Sequence, residues 1–249
     1  MIFDFQTFLP SEFNNSPFSA DDLLQLADTA SVDYMVVMPP ISEKPDNESL
    51  ADRIGDRERL IGCASVNPTL GEDVVKAFEE SIQRGIKGLH LLPRTHRYAI
   101  DSDLVSPLLD VAQARRIPVT TESCSEYCHP VQIANLAGRF PEVSIIADVG
   151  FRPVAPPVSL SQPEPEAGRI ADQALNHSNL YLGLTALATA ETYLIKRLLD
   201  TIPVDRLVFG SNAPSGIPLY SVGGVRQANL GDEAEALFLG ETLKKIYHL

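Results

Sequence analysis

One rhythm limits what this chain can become: short apolar runs that stop at a proline or a polar residue, each followed by a helical period. Ile2–Gln6 is the first run. Phe18–Asp22 then reads as a helix start with Ser19 as N-cap, and Leu23, Leu24, Leu26 and Ala27 supply the apolar stripe. Val32–Met38, apolar but for Asp33, is closed by Pro39-Pro40, and a weak helix is expected near Glu48–Asp56. Leu60–Val66 stops at Asn67-Pro68; a helix over Glu72–Arg84 leads to Ile86–Leu92, which ends at Pro93. Helix Leu104–Arg116, strand Pro118–Glu122, helix Val131–Arg139 and strand Val143–Asp148 continue the pattern. Ala167–Asn176, Leu180–Thr185, Glu191–Ile202, Leu207–Phe209 and a closing helix over Asp232–Tyr247 complete it.

Eight short, apolar strands alternating with helices predict a parallel sheet covered by helices. Eight such units close most naturally into a single (β/α)8 TIM barrel spanning residues 1–249 as one domain. An open doubly wound sheet would carry a glycine-rich turn after the first strand, and Phe5–Pro10 has no glycine. Two long loops, the proline-rich 151–166 and Ala213–Gly231, follow strands six and eight, at the face where barrels build their sites.

Polar residues at strand ends are therefore the candidates for chemistry: Asp4 and Gln6, His90, Glu122, Asp148, Thr185 and Asn212. Alternation along a strand puts His90 and Leu92 on one face, and Asp4, Gln6 and Phe8 on another. Glu122 and Asp148 fall on adjacent strands; such a pair shares a proton, holds a cation, or is spent on structural pairing. His90 is a general base or a satisfied residue of the barrel floor. Arg94, His96, His129 and Arg152, with Arg226, gather positive charge at the mouth of a chain whose formal net charge is −13. That contrast predicts a small anionic substrate gripped through its carboxylate.

The acidic balance excludes a nucleic-acid partner, and no apolar run approaches a membrane span. An odd count of three cysteines argues against a disulfide framework. With no basic leader before Met-Ile-Phe-Asp, these features predict a cytoplasmic protein. A homodimer is compatible with them. The segment Cys124–His129 lacks zinc-finger spacing.

Several segments resemble the amidohydrolase-related metal-dependent hydrolases and decarboxylases. They are Gly85–Pro93, Pro107–Ala112 followed by Ile117–Val119, Arg139–Ile146, Asn179–Leu182, Asp205–Ser211 and Gly240–Leu249. The resemblance implies a barrel whose His and Asp ligands hold divalent metal to activate water or polarise a carboxylate. Placed residue by residue, the first-strand His-x-His falls on Gln6 and Phe8. The strand-five and strand-six histidines fall on Glu122 and Asp148, and the strand-eight aspartate on Asn212. An asparagine cannot take a proton from water at neutral pH, and a phenyl ring ligates nothing.

The expectation is a rebuilt site without a cofactor. If a cation binds, the all-oxygen set Gln6, Glu122, Asp148 and Asn212 favours magnesium, manganese or calcium over zinc. Glu122, Asp148, Asn212 and His90 are the expected catalytic residues, with Gln6, Arg94, His96, His129 and Arg152 binding substrate. The alternatives are a catalytically inactive relative that binds a ligand or a protein, and a sugar-processing carboxylate pair, the latter lacking any tryptophan platform.

Overall fold

The computed structural model of the chain describes residues 1–71, 73–123, 125–149, 165–185 and 192–249. Eight strands form one sheet in sequence order: β1 Phe3–Phe8, β2 Tyr34–Met38, β3 Leu60–Val66, β4 Gly88–Leu91, β5 Val119–Glu122, β6 Ile145–Asp148, β7 Leu180–Leu184 and β8 Leu207–Phe209. Every neighbouring pair is parallel. The last strand returns to the first through Asn212 N donating to Gln6 O (3.0 Å) and Phe8 N donating to Ala213 O (2.7 Å). This is the expected (β/α)8 barrel. Among the described residues no helix is long and apolar enough to cross a membrane.

The helices are α1 Ala20–Ala30, α2 Asn47–Ile54, α3 Asp73–Gln83, α4 Ser106–Arg115, α5 Pro130–Arg139, α6 Pro165–Asn176, α7 Thr192–Leu199 and α8 Pro218–Gln227. Ser19 caps α1 as expected: its Oγ accepts from Asp22 N, and Asp22 Oδ2 accepts from Ser19 N. Leu23, Ala27 and Ala30 form the buried stripe of that helix.

Three expectations need correction. The Ala213–Gly231 stretch is not a plain loop, because Pro218 at the first turn of α8 starts a helix there. The closing helix is not uniform: Asp232–Ala236 and Thr242–Tyr247 are joined by a π-helical turn, Leu237–Glu241. A Cβ on Gly240, within that turn, would lie 2.7 Å from Met1 O and 3.1 Å from Phe3 N, so the missing side chain lets the helix reach the backbone of β1.

The third correction bears on the site. The register of β1 slips between Asp4 and Thr7, a bulge-like irregularity that breaks strict alternation. Phe3 and Phe5 pack in the barrel interior with Val36, Ile61, Ile146 and Val208. Beyond the slip, Gln6 and Phe8 line a cavity at the mouth. Asp4 therefore does not share the face of Gln6. The Phe5 ring lies against Gly183 and Gly210, where an added Cβ would come within 2.2 Å and 2.6 Å of it.

Candidate active site

The C-terminal ends of β1, β4, β5 and β6 converge on a small cavity lined by Gln6, Phe8, Ile41, His90, Leu92, Glu122 and Asp148. It offers about 10 Å³ of room for the centre of a water molecule. Pairing of β5 with β6 sets Glu122 directly opposite Asp148, and pairing of β3 with β4 sets Ser65 opposite His90.

Each polar side chain has a defined commitment. Gln6 Nε2 donates to Asp148 Oδ2 at 3.0 Å. Thr185 Oγ1 donates to the same carboxylate, 2.9 Å from Oδ1 and 3.1 Å from Oδ2. Glu122 Oε2 accepts from Arg94 N at 3.1 Å, and Arg94 Nε lies 3.9 Å from Oε1. His90 Nδ1 shares a hydrogen bond with Ser65 Oγ at 3.2 Å.

Burial dominates the electrostatics. It pushes the Glu122 carboxyl above the usual range, although the Arg94 and Thr95 backbone N–H groups and the Arg94 charge pull it back in part. Burial, reinforced by His96, holds His90 down at about 3, so its imidazole is neutral at physiological pH. Asp4 is fully buried beneath the β1–β8 seam, where its Oδ1 accepts from Gln6 N (3.1 Å) and Ser211 N (3.0 Å). Burial raises it to about 7.

The other expected site residues are placed elsewhere. Asn212 has left-handed backbone (φ 60°), and its Oδ1 is buried without a hydrogen-bond partner. It is not among the residues lining the cavity. His96 is buried, bonds Ser42 O through Nε2 at 2.9 Å and stacks on Tyr98. His129 is exposed and caps α5, with Nδ1 accepting from Val131 N at 3.3 Å. Arg226 pairs with Glu235 at 3.6 Å. Arg152, Cys124 and most of the proline-rich loop 151–166 lie outside the described residues. Of the described basic residues, His96, His129 and Arg226 are committed to these partners, and Arg94 is in contact with the cavity-lining Glu122.

Sequence reasoning missed Ile41 as an apolar wall and Ser65 as the partner of His90, whereas alternation already puts Leu92 on the face of His90. The register of Leu60–Val66 beside the His90 strand was the available signal for Ser65.

A family model described as Amidohydrolase matches residues 7–248. The chain belongs to the amidohydrolase family. Among solved structures, this member is similar to a probable 2-pyrone-4,6-dicarboxylic acid hydrolase from Acinetobacter baumannii, with citric acid bound. Identity is 13%, coverage is 100% of this chain and 99% of that one, and the TM-score is 0.75. It is also similar to a dihydroxybenzoic acid decarboxylase from Polaromonas sp. JS666 with bound manganese and 2-nitroresorcinol (13% identity, 100% and 97% coverage, TM-score 0.74). A third is the 2,6-dihydroxybenzoate decarboxylase from Rhizobium (11% identity, 99% and 98% coverage, TM-score 0.74). At these identities the likeness establishes the fold. No protein with a curated description matches the chain.

The metal that the resemblance implies finds a poor fit in this family member. Among the described residues no three His, Cys, Asp or Glu side chains come together to hold an ion. Asp148 is engaged by Gln6 and Thr185, and the Phe8 ring forms part of the wall. This donor set does not suit zinc, which favours nitrogen and sulfur ligands.

Proposed function

We propose that this amidohydrolase-family protein is an enzyme with a rebuilt, metal-free acid–base site, hydrolysing or decarboxylating a small anionic substrate. The observation that carries the reading is Glu122. Its Oε2 is anchored by a backbone N–H, while Oε1 is buried at the cavity without accepting a hydrogen bond. A carboxyl held in this way, with its proton affinity raised by burial, suits general acid–base work.

In a hydrolytic reaction Glu122 removes the proton of a water that attacks a carbonyl carbon. In a decarboxylation its protonated form delivers the proton to the carbon that loses carbon dioxide. Asp148, held by Gln6 and Thr185, orients the floor of the site, and neutral His90 positions substrate. Arg94, beside Glu122 and one-third exposed, supports recognition of a carboxylate at the mouth. The structurally similar probable 2-pyrone-4,6-dicarboxylic acid hydrolase and dihydroxybenzoate decarboxylases are named for acidic substrates, in accord with an anion.

That no three His, Cys, Asp or Glu side chains among the described residues come together to hold an ion favours a second reading, in which the protein binds a ligand without turning it over. A panel of hydroxybenzoates and carboxylated lactones, assayed with the wild type and Glu122→Gln, separates the two. Under the enzyme reading the substitution lowers turnover by about 10²–10⁴-fold. Binding by both forms with no turnover supports the second reading.

A further inference from the structure

Two side chains that line the mouth cavity, Gln6 and Glu122, each carry a buried acceptor without a donor among the described residues. Gln6 spends its amide N–H on Asp148, and its Oε1 is buried without a donor. Glu122 spends Oε2 on Arg94 N, and its Oε1 is likewise buried without one; Arg94 Nε, at 3.9 Å, is beyond hydrogen-bond reach. Phe8, Ile41 and Leu92 are apolar walls that offer no polar hydrogen, and His90, which also lines the cavity, has its Nδ1 engaged with Ser65 Oγ. Buried acceptors of this kind nearly always find a donor, because leaving them unmet forfeits their hydration. The cavity these side chains line, with about 10 Å³ for a water centre, has room for a single water.

We propose that the cavity is a built site for one water molecule, donating one hydrogen to Gln6 Oε1 and the other to Glu122 Oε1. The proposal rests on the metal-free reading and deepens it: the position is held by an amide and a carboxylate instead of a cation. In the hydrolytic branch this water supplies the nucleophile. Its O–H bond breaks as Glu122 takes the proton, and its oxygen lone pair bonds the carbonyl carbon while the C=O π pair moves to the carbonyl oxygen. As that intermediate collapses, the leaving group departs with the proton returned by Glu122. Water and substrate are consumed in equal number, and the carboxylate is regenerated.

The test is a crystal structure of the full chain, purified with a chelator, at a resolution that places ordered water, together with that of Gln6→Met. The wild type is expected to show one peak about 3 Å from both oxygens, without anomalous signal at the zinc or manganese edge. In Gln6→Met, which keeps the volume but removes the Oε1 acceptor together with the Nε2 donor to Asp148, the peak is lost while the positions of Glu122 and Asp148 are unchanged. No peak in the wild-type protein overturns the water site but leaves the metal-free reading standing. A peak retained unchanged in Gln6→Met also overturns it. An anomalous peak at metal–ligand distance overturns both.

Discussion

Gln6 and Asp148, separated by 142 positions in sequence, meet across the barrel mouth with Gln6 Nε2 donating to Asp148 Oδ2 at 3.0 Å. Thr185 completes the arrangement, so one buried carboxylate is held by donors from both sides. Thr185→Val, nearly isosteric, and Gln6→Met each remove one donor and are expected to cost about 1–3 kcal/mol of stability. Because both donors serve one carboxylate, the double variant should depart from additivity by about 0.5 kcal/mol or more in urea denaturation.

The Phe5 ring sets a packing limit beneath the site. Gly183→Ala would bring a Cβ within 2.2 Å of Phe5 Cζ, with β7 leaving little freedom to withdraw. The expected loss is about 1–3 kcal/mol, read as a lower denaturation midpoint with unchanged slope. The double variant Phe5→Leu/Gly183→Ala is expected to recover part of it.

Buried Asp4 and His90 give opposing pH dependences. The folded-state carboxyl of Asp4 is raised to about 7, so the folded protein binds more protons than the unfolded chain above the ordinary aspartate range. Its contribution to stability is present at acid pH and is lost as pH rises toward about 7. His90, depressed to about 3, is the reverse: the unfolded chain binds the extra proton, and its contribution is lost as pH falls below about 6.5. Asp4→Asn keeps an Oδ1 acceptor for Gln6 N and Ser211 N. Its stability relative to the wild type should therefore climb between pH 4 and 7, by an amount on the order of a few kcal/mol. Equal slopes for the two proteins in pH-resolved denaturation would contradict this assignment.

Asn212 occupies left-handed backbone at φ 60° in the turn that seals β8 against β1. Asn212→Ala is expected to be less stable than Asn212→Gly by roughly 1 kcal/mol, since glycine accepts that conformation without a Cβ penalty. The opposite order in thermal unfolding would contradict the backbone argument.

The barrel was legible because its strands and helices repeat with distinct periods, and the strand ends pointed to Glu122, Asp148 and His90. What failed was local. Alternation from Asp4 to Phe8 presumed a regular strand, and the register slip put Phe5 and Gln6 both to use inside the barrel. Strand-end position also suggested that His96 and His129 face a substrate, whereas a one-turn helix Pro93–His96 and the cap of α5 direct them elsewhere. Such diversions depend on partners such as Ser42 O and Val131 N, which no periodicity announces. Gly240 signalled nothing in sequence, because its role lies in a contact with the first strand.

If Glu122, Asp148 and Gln6 form the proposed metal-free site, the purified protein carries no stoichiometric metal. Elemental analysis of the purified full-length chain, before and after dialysis against a chelator, tests it most directly. A metal-free site gives substoichiometric zinc, manganese and iron in both samples, with no change in thermal stability on chelation. Stoichiometric metal that resists dialysis, or stability lost on chelation and restored by adding one metal, would contradict it.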